Sequence, residues 1–141
     1  MQKTNIKNIR NSLLEAASDI FAKHPVLFAY LYGGFAIGLV HPFSDLDIGI
    51  YIEDLPHKKS LELELSLSLE IDKNIGSGVT SEVRIINTLP LTVTGNIITE
   101  GDLIYSRNEV VRVDFETSVR SAYFDFLPII QQYQRAYIDS I

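Results

Sequence analysis

The sequence contains no cysteine, and its charge is mostly of one sign. Without cysteine, neither a disulfide framework nor a thiolate metal site can form, which suits a reducing cytoplasm. Lys and Arg total 12 against 18 Asp and Glu, which leaves a net charge of -6. General binding to a nucleic-acid backbone needs clustered cations. We therefore expect a protein or a small molecule as the partner, and no direct contact with nucleic acid.

Long apolar runs are absent as well. The first 21 residues, "MQKTNIKNIRNSLLEAASDIF", have no continuous apolar core, so we predict no secretory signal. The uncharged stretch at residues 25–44 has an apolar part of only 15 residues, 26–40, which contains three glycines. A membrane-spanning helix needs roughly 20 consecutive apolar residues. This stretch therefore predicts a buried strand and a turn, and no membrane segment.

The rest of the pattern alternates between the periods of helices and strands. With 141 residues, 46% of them hydrophobic, the chain is expected to form a single domain over residues 1–141. Strands are predicted at residues 26–32, 45–52, 79–86 and 103–105. Helices are predicted before Pro25, at 61–71, after Pro90 and on either side of Pro128. This order predicts an α/β (α+β) fold, a small mixed β-sheet flanked by helices.

The segment at residues 61–71 fits two structures. Its leucines and one isoleucine alternate strictly with other residues, as in a half-buried strand. Leu and Glu are strong helix formers, however, and β-branched residues are nearly absent. We interpret the segment as a helix with apolar side chains on two opposite faces, one for its own domain and one for a partner. The half-buried strand remains the alternative.

The second predicted strand carries two acids on its polar face, Asp45 and Asp47. Side chains two residues apart on a strand point the same way, about 6.6 Å apart along the backbone. Two such carboxylates can converge on divalent ions, and hard oxygen ligands suit Mg²⁺. Glu82, on the polar face of the third strand, can supply another carboxylate. The ordinary alternatives are a solvated Asp pair and a surface ion pair of Glu82 with Arg84.

Two adjacent glycines, Gly33 and Gly34, follow the first predicted strand. Lacking Cβ, they let backbone N–H groups turn toward a phosphate and approach it closely. A simple turn is the alternative interpretation. Because ten residues separate the glycines from Asp45, the glycines and the acids are expected at adjacent strand ends.

This combination resembles the G-S-x10-D-x-D signature of the minimal nucleotidyltransferases, members of the DNA polymerase beta-like nucleotidyltransferase superfamily. The match reads Gly33, Gly34, ten residues ending at Ser44, then Asp45 and Asp47. The segments "SEVRIINTLP" and "EGDLIYSRN" also look like later segments of the family. The resemblance covers most of the chain and implies the nucleotidyltransferase fold.

The resemblance also implies roles for these residues. Asp45, Asp47 and Glu82 would be the catalytic residues and the Mg²⁺ ligands. Nucleotide binding would fall to Gly33, Gly34 and Ser44. In such proteins a hydroxyl attacks the α-phosphate of a nucleoside triphosphate, and pyrophosphate leaves. Two positions depart from the family pattern, since Gly34 replaces the signature serine and Glu82 replaces the more usual aspartate.

Stand-alone domains of this size in the family are similar to the antitoxins of HEPN-domain RNase toxins. The resemblance implies transfer of AMP from ATP to a toxin tyrosine, with Mg²⁺ as cofactor, in a cytoplasmic hetero-oligomer with the toxin. Two other hypotheses remain: a degenerate domain that neutralises the toxin by binding alone, and a nucleotidyltransferase for a small hydroxylated compound. The predicted contact surfaces are the outer apolar face of residues 61–71 and the segment bearing Tyr133 and Tyr137.

Overall fold

The computed structural model describes residues 3–37, 45–76 and 78–140. Helices and strands alternate along these residues. The helices are α1 (Lys3–Phe21), α2 (Gly34–Ile37), α3 (His57–Ile75), α4 (Leu91–Glu100) and α5 (Glu109–Asp139). The strands are β1 (Val26–Tyr32), β2 (Leu46–Ile52), β3 (Ser81–Ile85) and β4 (Asp102–Ser106). The predicted α/β class is confirmed, and the four predicted strands are present with slightly different ends.

The strands form one mixed sheet in the order β3-β2-β1-β4. β1 runs antiparallel to both β2 and β4, whereas β2 and β3 are parallel. Side chains of α1 and α3 pack on one face of the sheet, and side chains of α4 and α5 pack on the other. The sheet is therefore the middle layer of three.

The alternation in β2 decides which face each of its residues takes. Leu46, Ile48 and Ile50 are fully buried in the core beneath α1 and α3. Burying each of these side chains contributes roughly 1.5–3 kcal/mol relative to leaving it exposed. Shifting the register by one residue would move Asp47 into this core, so the hydrophobic pattern fixes the acid on the opposite face.

The segment at 61–71 is helical, as predicted, and lies within α3. Gly76, with a φ of 63°, ends this helix in the left-handed conformation that favours glycine. One apolar face is buried in the core and consists of Leu63, Leu67 and Ile71. The opposite one is exposed and consists of Leu61 at 52%, Leu65 at 63% and Leu69 at 61%. The predicted two-faced helix is therefore confirmed, while the partner for its outer face stays a prediction.

A further face of α3 closes the free edge of β3. Three backbone N–H groups of the strand donate hydrogen bonds to side chains spaced four residues apart on the helix: Ser81 N to Asp72 Oδ1 at 2.7 Å, Val83 N to Ser68 Oγ at 3.2 Å and Ile85 N to Glu64 Oε2 at 2.9 Å. An edge strand with unpaired backbone groups invites pairing with another chain. The three α3 side chains thus occupy the backbone N–H groups to which an additional strand would bind at this edge. They also hold β3, which carries Glu82, against the helix.

The prediction that Pro128 separates two helices is wrong, because α5 runs through it without a break. Proline removes one backbone hydrogen bond inside a helix, here to the carbonyl of Phe124. Both residues are exposed, so water can bind the freed carbonyl and the helix continues. Even this long helix is not apolar enough to cross a membrane, and neither is any other helix in the described ranges.

Candidate active site

The predicted acids lie at one end of three adjacent strands. Asp47 on β2 is the register partner of Glu82 on β3 and of Tyr32 on β1. Neighbouring strands are separated by about 4.8 Å, so these three side chains form a row on the sheet face that α4 partly covers. Asp45 precedes β2 and is exposed. The structure thus brings Asp45, Asp47 and Glu82 together at this strand end.

Gly33 lies directly over this row of side chains. It follows the last residue of β1 and has a φ of 71°, in the left-handed region that side chains disfavour. A Cβ atom at this position would overlap the carboxylate of Asp47. Glycine is therefore required at position 33 for two reasons, its backbone conformation and its close approach to the acid.

The electrostatic balance of the site is unfavourable for Asp47. Burial raises the pKa of its carboxyl, and the negative charges of Glu82 and Asp45 raise it further. Arg84 acts in the opposite direction and lowers the pKa of the same group. No salt bridge joins Arg84 to Glu82, so the predicted alternative of a surface ion pair is not observed. The site therefore concentrates negative charge that a cation would neutralise.

The carboxylates are close together without forming a closed metal cage. Across the described residues, no three side chains of the metal-binding types already surround a common ion position. The Thr80 hydroxyl donates a hydrogen bond to Asp45, which draws that carboxylate toward the loop before β3. Mg²⁺ is usually bound by one or two carboxylates plus substrate phosphates and water. Carboxylates are ligands of the type that Mg²⁺ accepts in this manner, so the donor set fits this ion.

The predicted nucleotide-binding residues divide into three cases. Gly33 is at the site, over the Asp47 carboxylate. Gly34 is the first residue of α2, where its φ is not positive, so the backbone conformation at position 34 does not require glycine. The predicted role of Ser44 falls on a residue outside the described ranges.

A cleft of about 390 Å³ opens beside Gly33. It is lined by Tyr32, Gly33, Thr92, Val93, Asn96, Ile97 and Glu100. Three of these residues are polar and lie four apart on one face of α4, namely Thr92, Asn96 and Glu100. The volume is within the range of small-molecule and cofactor sites. The sequence prediction did not include this helix face, although its i, i+4, i+8 polar spacing was a signal.

Tyr32 and Arg84 also belong to the site and were not predicted. They flank β2 from opposite sides at Gly49, whose added Cβ would lie 3.5 Å from the Tyr32 ring. Burial and the charge of Asp47 raise the pKa of the Tyr32 hydroxyl, while neighbouring Arg84 lowers it. Tyr32 therefore brings an aromatic ring, and Arg84 a cation, next to Asp47.

A second cleft, of about 330 Å³, lies at the other end of β2. Its lining includes Ile52, His57 and Asn87. The Asn87 side chain accepts a hydrogen bond from the N–H of Ile52 and donates one to the carbonyl of Ile52. Five residues of strand separate Ile52 from Asp47, about 16 Å at 3.3 Å per residue. This cleft is therefore remote from the acids and takes no part in their site.

Comparison with protein families identifies one match. The family model described as "Polymerase beta, Nucleotidyltransferase" matches residues 15–110, more than half of the chain. The matched range contains Gly33 and the three acids of the site. Comparison with the curated proteins finds no match.

Solved structures share the fold over nearly the whole chain. A chain from the crystal structure of a toxin–antitoxin complex with AMP-PNP is 18% identical, with 92% of this chain and 95% of that chain covered at a TM-score of 0.59. A chain from the tri-AMPylated Shewanella oneidensis HEPN toxin in complex with its MNT antitoxin is 19% identical, with 99% and 98% covered at 0.53. A chain from the MntA–HepT toxin–antitoxin structure is 16% identical, with 99% and 97% covered at 0.52. At these identities the similarity establishes the fold.

Proposed function

Because the chain belongs to the polymerase beta nucleotidyltransferase family, we propose that it is the antitoxin of a HEPN toxin–antitoxin pair. In this proposal it transfers AMP from ATP to a tyrosine of the toxin. One observation carries the catalytic part: Asp47 is the register partner of Glu82 and lies beneath Gly33, and Gly33 also lines a cleft of about 390 Å³.

The residues of the site divide the work of binding ATP. Asp45, Asp47 and Glu82 would hold Mg²⁺, which neutralises phosphate charge and orients the triphosphate when bound. Gly33 offers its backbone to the phosphates without a side chain in the way. The cleft along α4 would receive the rest of the nucleotide, with the Asn96 side chain available to hydrogen-bond it.

The transfer step is an in-line displacement at the α-phosphorus. The phenolic oxygen of the toxin tyrosine forms a bond to this phosphorus, and the bond from phosphorus to the α,β-bridging oxygen breaks. Pyrophosphate leaves with that bonding pair, and AMP remains on the tyrosine. Glu82 is more exposed than Asp47, and its carboxylate would accept the phenolic proton. Positioning and charge neutralisation therefore supply the catalysis.

The choice of a protein substrate draws on the structural neighbours. One of them contains AMP-PNP, an ATP analogue, and another contains a HEPN toxin that carries AMP groups. Both are toxin–antitoxin complexes, so we assign a HEPN toxin as the substrate and partner in a hetero-oligomer. ATP is a cytoplasmic metabolite, and we place the reaction in the cytoplasm.

A second candidate function is neutralisation by binding alone. The observation that favours it is Gly34, which replaces the serine of the family signature with a residue that has no hydroxyl. In this alternative the domain covers the toxin and transfers no nucleotide. The two candidates differ in whether toxin neutralisation needs the acids.

The decisive experiment incubates the chain with ATP, Mg²⁺ and the product of the adjacent gene, and measures the mass of that product. We expect a mass increase of one or more AMP groups, and no increase with the double variant Asp45→Asn plus Asp47→Asn. An unchanged mass with the wild-type chain would reject the transferase. If the double variant still protects cells from the toxin as well as the wild type does, binding alone is the better account.

Gly34→Ser is the matched test of the departure from the signature. Position 34 has a helical φ, so serine can enter without backbone strain. We expect the added hydroxyl to raise the rate of AMP transfer if the site is an active but impaired transferase. A domain that works by binding alone would show no transfer with either residue.

A further inference from the structure

The apolar face of α5 continues beyond the part of the protein that covers it. In the first half of the helix, Phe115 packs against the ring of Phe28, and Val119 is buried. In the second half, four side chains continue this face at spacings of four, three and four residues: Phe126, Ile130, Tyr133 and Tyr137. We call these four side chains the overhang stripe, and residues 126–139 the overhang.

The overhang has almost no support from the rest of the chain. All residues from 131 to 139 are exposed, including Tyr133 at 76% and Tyr137 at 70%. Pro128 removes a backbone hydrogen bond at the start of the overhang. A helix with an apolar stripe gains its stability mainly from packing. The overhang therefore has a surface that another molecule would stabilise.

The charge of the overhang indicates the kind of surface it fits. It contains one Arg and one Asp, so its net charge is zero in a chain of net charge -6. Arg135 and Gln132 lie on the side of the helix opposite the overhang stripe, since 3.6 residues make one turn. Electrostatic attraction therefore contributes little to binding at the overhang stripe. A complementary surface is an apolar groove with hydrogen-bond acceptors at its rim for the tyrosine hydroxyls.

Two structural matches that span nearly the whole chain include α5. The family match ends at residue 110, so it contains α3 with its outer leucines and excludes all but the first two residues of α5. The structural matches at TM-scores of 0.53 and 0.52 extend over 99% of the chain and so include the overhang. α5 is thus part of what this chain shares with those two chains from toxin–antitoxin complexes.

We propose that the overhang stripe is the docking surface for the toxin that the site modifies, an inference that rests on the proposed function. Tyr133 and Tyr137 enter an apolar groove of the toxin, as the anchors of an amphipathic helix do. Tyrosines are frequent centres of binding energy in protein interfaces. Docking on α5 keeps the toxin attached to a surface separate from the acids, so binding and AMP transfer depend on different residues.

The test measures the Kd of the purified full-length chain for the adjacent gene product. Tyr133→Gln plus Tyr137→Gln removes two aromatic anchors and keeps good helix formers. We expect Kd to rise at least tenfold. Nucleotide binding, measured with AMP-PNP and Mg²⁺ in the absence of toxin, should stay within threefold of the wild type. Circular dichroism of the variant checks that α5 remains helical.

Two control variants make the comparison specific. Gln132→Ala plus Arg135→Ala changes the opposite side of the overhang, and we expect Kd within threefold of the wild type. Leu65→Gln plus Leu69→Gln removes the outer leucines of α3 and is also expected to leave binding intact. Normal toxin binding by the tyrosine variant would overturn the assignment, and loss of binding with the α3 variant alone would place the docking surface on α3.

The remaining outcomes also decide the question. A wild-type chain that does not bind the toxin overturns the proposal. The proposal is also overturned if the isolated chain is a dimer and the tyrosine variant is a monomer, because the overhang stripe would then bind a second copy of this chain. Binding that depends on Tyr133 and Tyr137 without any AMP transfer supports this docking surface while rejecting the proposed transferase. The two proposals can therefore fail independently.

Discussion

Gly33 stands directly over the carboxylate of Asp47, with no room for a side chain between them. Gly33→Ala should therefore displace this acid and impose a left-handed conformation on alanine. We expect a loss of roughly 1–2 kcal/mol in the free energy of unfolding from the backbone strain. AMP transfer should fall about 100-fold, the scale of effect expected when a reacting group is misplaced by about 1 Å. Denaturant unfolding and the rate of AMP addition to the toxin measure the two effects.

Gly78→Ala is the matched control for this variant. Gly78 has a φ of 72°, nearly the same as Gly33, but nothing lies within 4 Å of the Cβ that alanine would add. We expect a similar loss of stability and a normal transfer rate. Equal losses of activity in both variants would show that strain alone is responsible and that the contact with Asp47 is unimportant.

A second prediction concerns the cost of keeping Asp47 ionised. Burial and two neighbouring carboxylates raise its pKa, so the negative form destabilises the folded chain. Asp47→Asn should raise the midpoint of thermal unfolding at neutral pH without added metal, by on the order of 1–3 °C. The same variant should lose AMP transfer by at least about 100-fold. If Asp47 holds Mg²⁺ as in the proposed function, Mg²⁺ should stabilise the wild type more than the variant.

The pH dependence of that stabilisation follows from the direction of the shift. The ordinary pKa of the group is 3.8, and the folded value is higher. As pH rises from 3.8 through the folded pKa, the unfolded chain loses this proton first, so the wild type loses stability relative to the variant. The advantage of Asp47→Asn should therefore be present at neutral pH and shrink on acidification through this range. Thermal unfolding of both proteins across the acid range tests it, and an advantage that grows on acidification would contradict it.

The sequence predicted those parts of the fold that depend on local periodicity. The period of two in β2 placed Asp47 on the face opposite the Leu46–Ile48–Ile50 core, and the helix formers in 61–71 outweighed their strand-like alternation. Pro128 misled the prediction because proline is tolerated in a helix where its freed carbonyl faces water. Helix propensity cannot show whether a carbonyl will face water, because that depends on how the helix packs in the folded protein.

The parts of the site that were missed depend on tertiary packing. Tyr32 and Arg84 flank β2 from its two neighbouring strands, and the pairing register that brings them there joins strands distant in sequence. The polar face of α4 lines a cleft only because the fold places this helix beside Gly33. Sequence patterns indicated the acids. The side chains that surround them come together only when the sheet is assembled, so the sequence did not reveal them.

A third prediction concerns the closed edge of β3. The Asp72 carboxylate accepts a hydrogen bond from the N–H of Ser81, at the strand that carries Glu82. Asp72→Ala would leave this partly buried donor without its acceptor, which costs roughly 1–3 kcal/mol. The freed edge should also increase aggregation, which light scattering during heating measures. Asp72→Asn keeps an acceptor oxygen and should stay close to the wild type. An alanine variant as stable as the asparagine variant would contradict this role.

A fourth prediction concerns the contact between α4 and α5. A Cβ atom at Gly95 would overlap the ring of Tyr123, so the absence of a side chain lets the two helices approach closely. Gly to Ala inside a helix normally stabilises by about 1 kcal/mol. Here Gly95→Ala should instead destabilise by roughly 1–3 kcal/mol, because it overpacks the contact. In the background of Tyr123→Ala the same change should become stabilising, since the ring has gone and only the helix propensity remains. A double-mutant cycle by denaturant unfolding measures this reversal of sign, and additive effects of the two changes would show that Tyr123 does not determine how closely α5 packs.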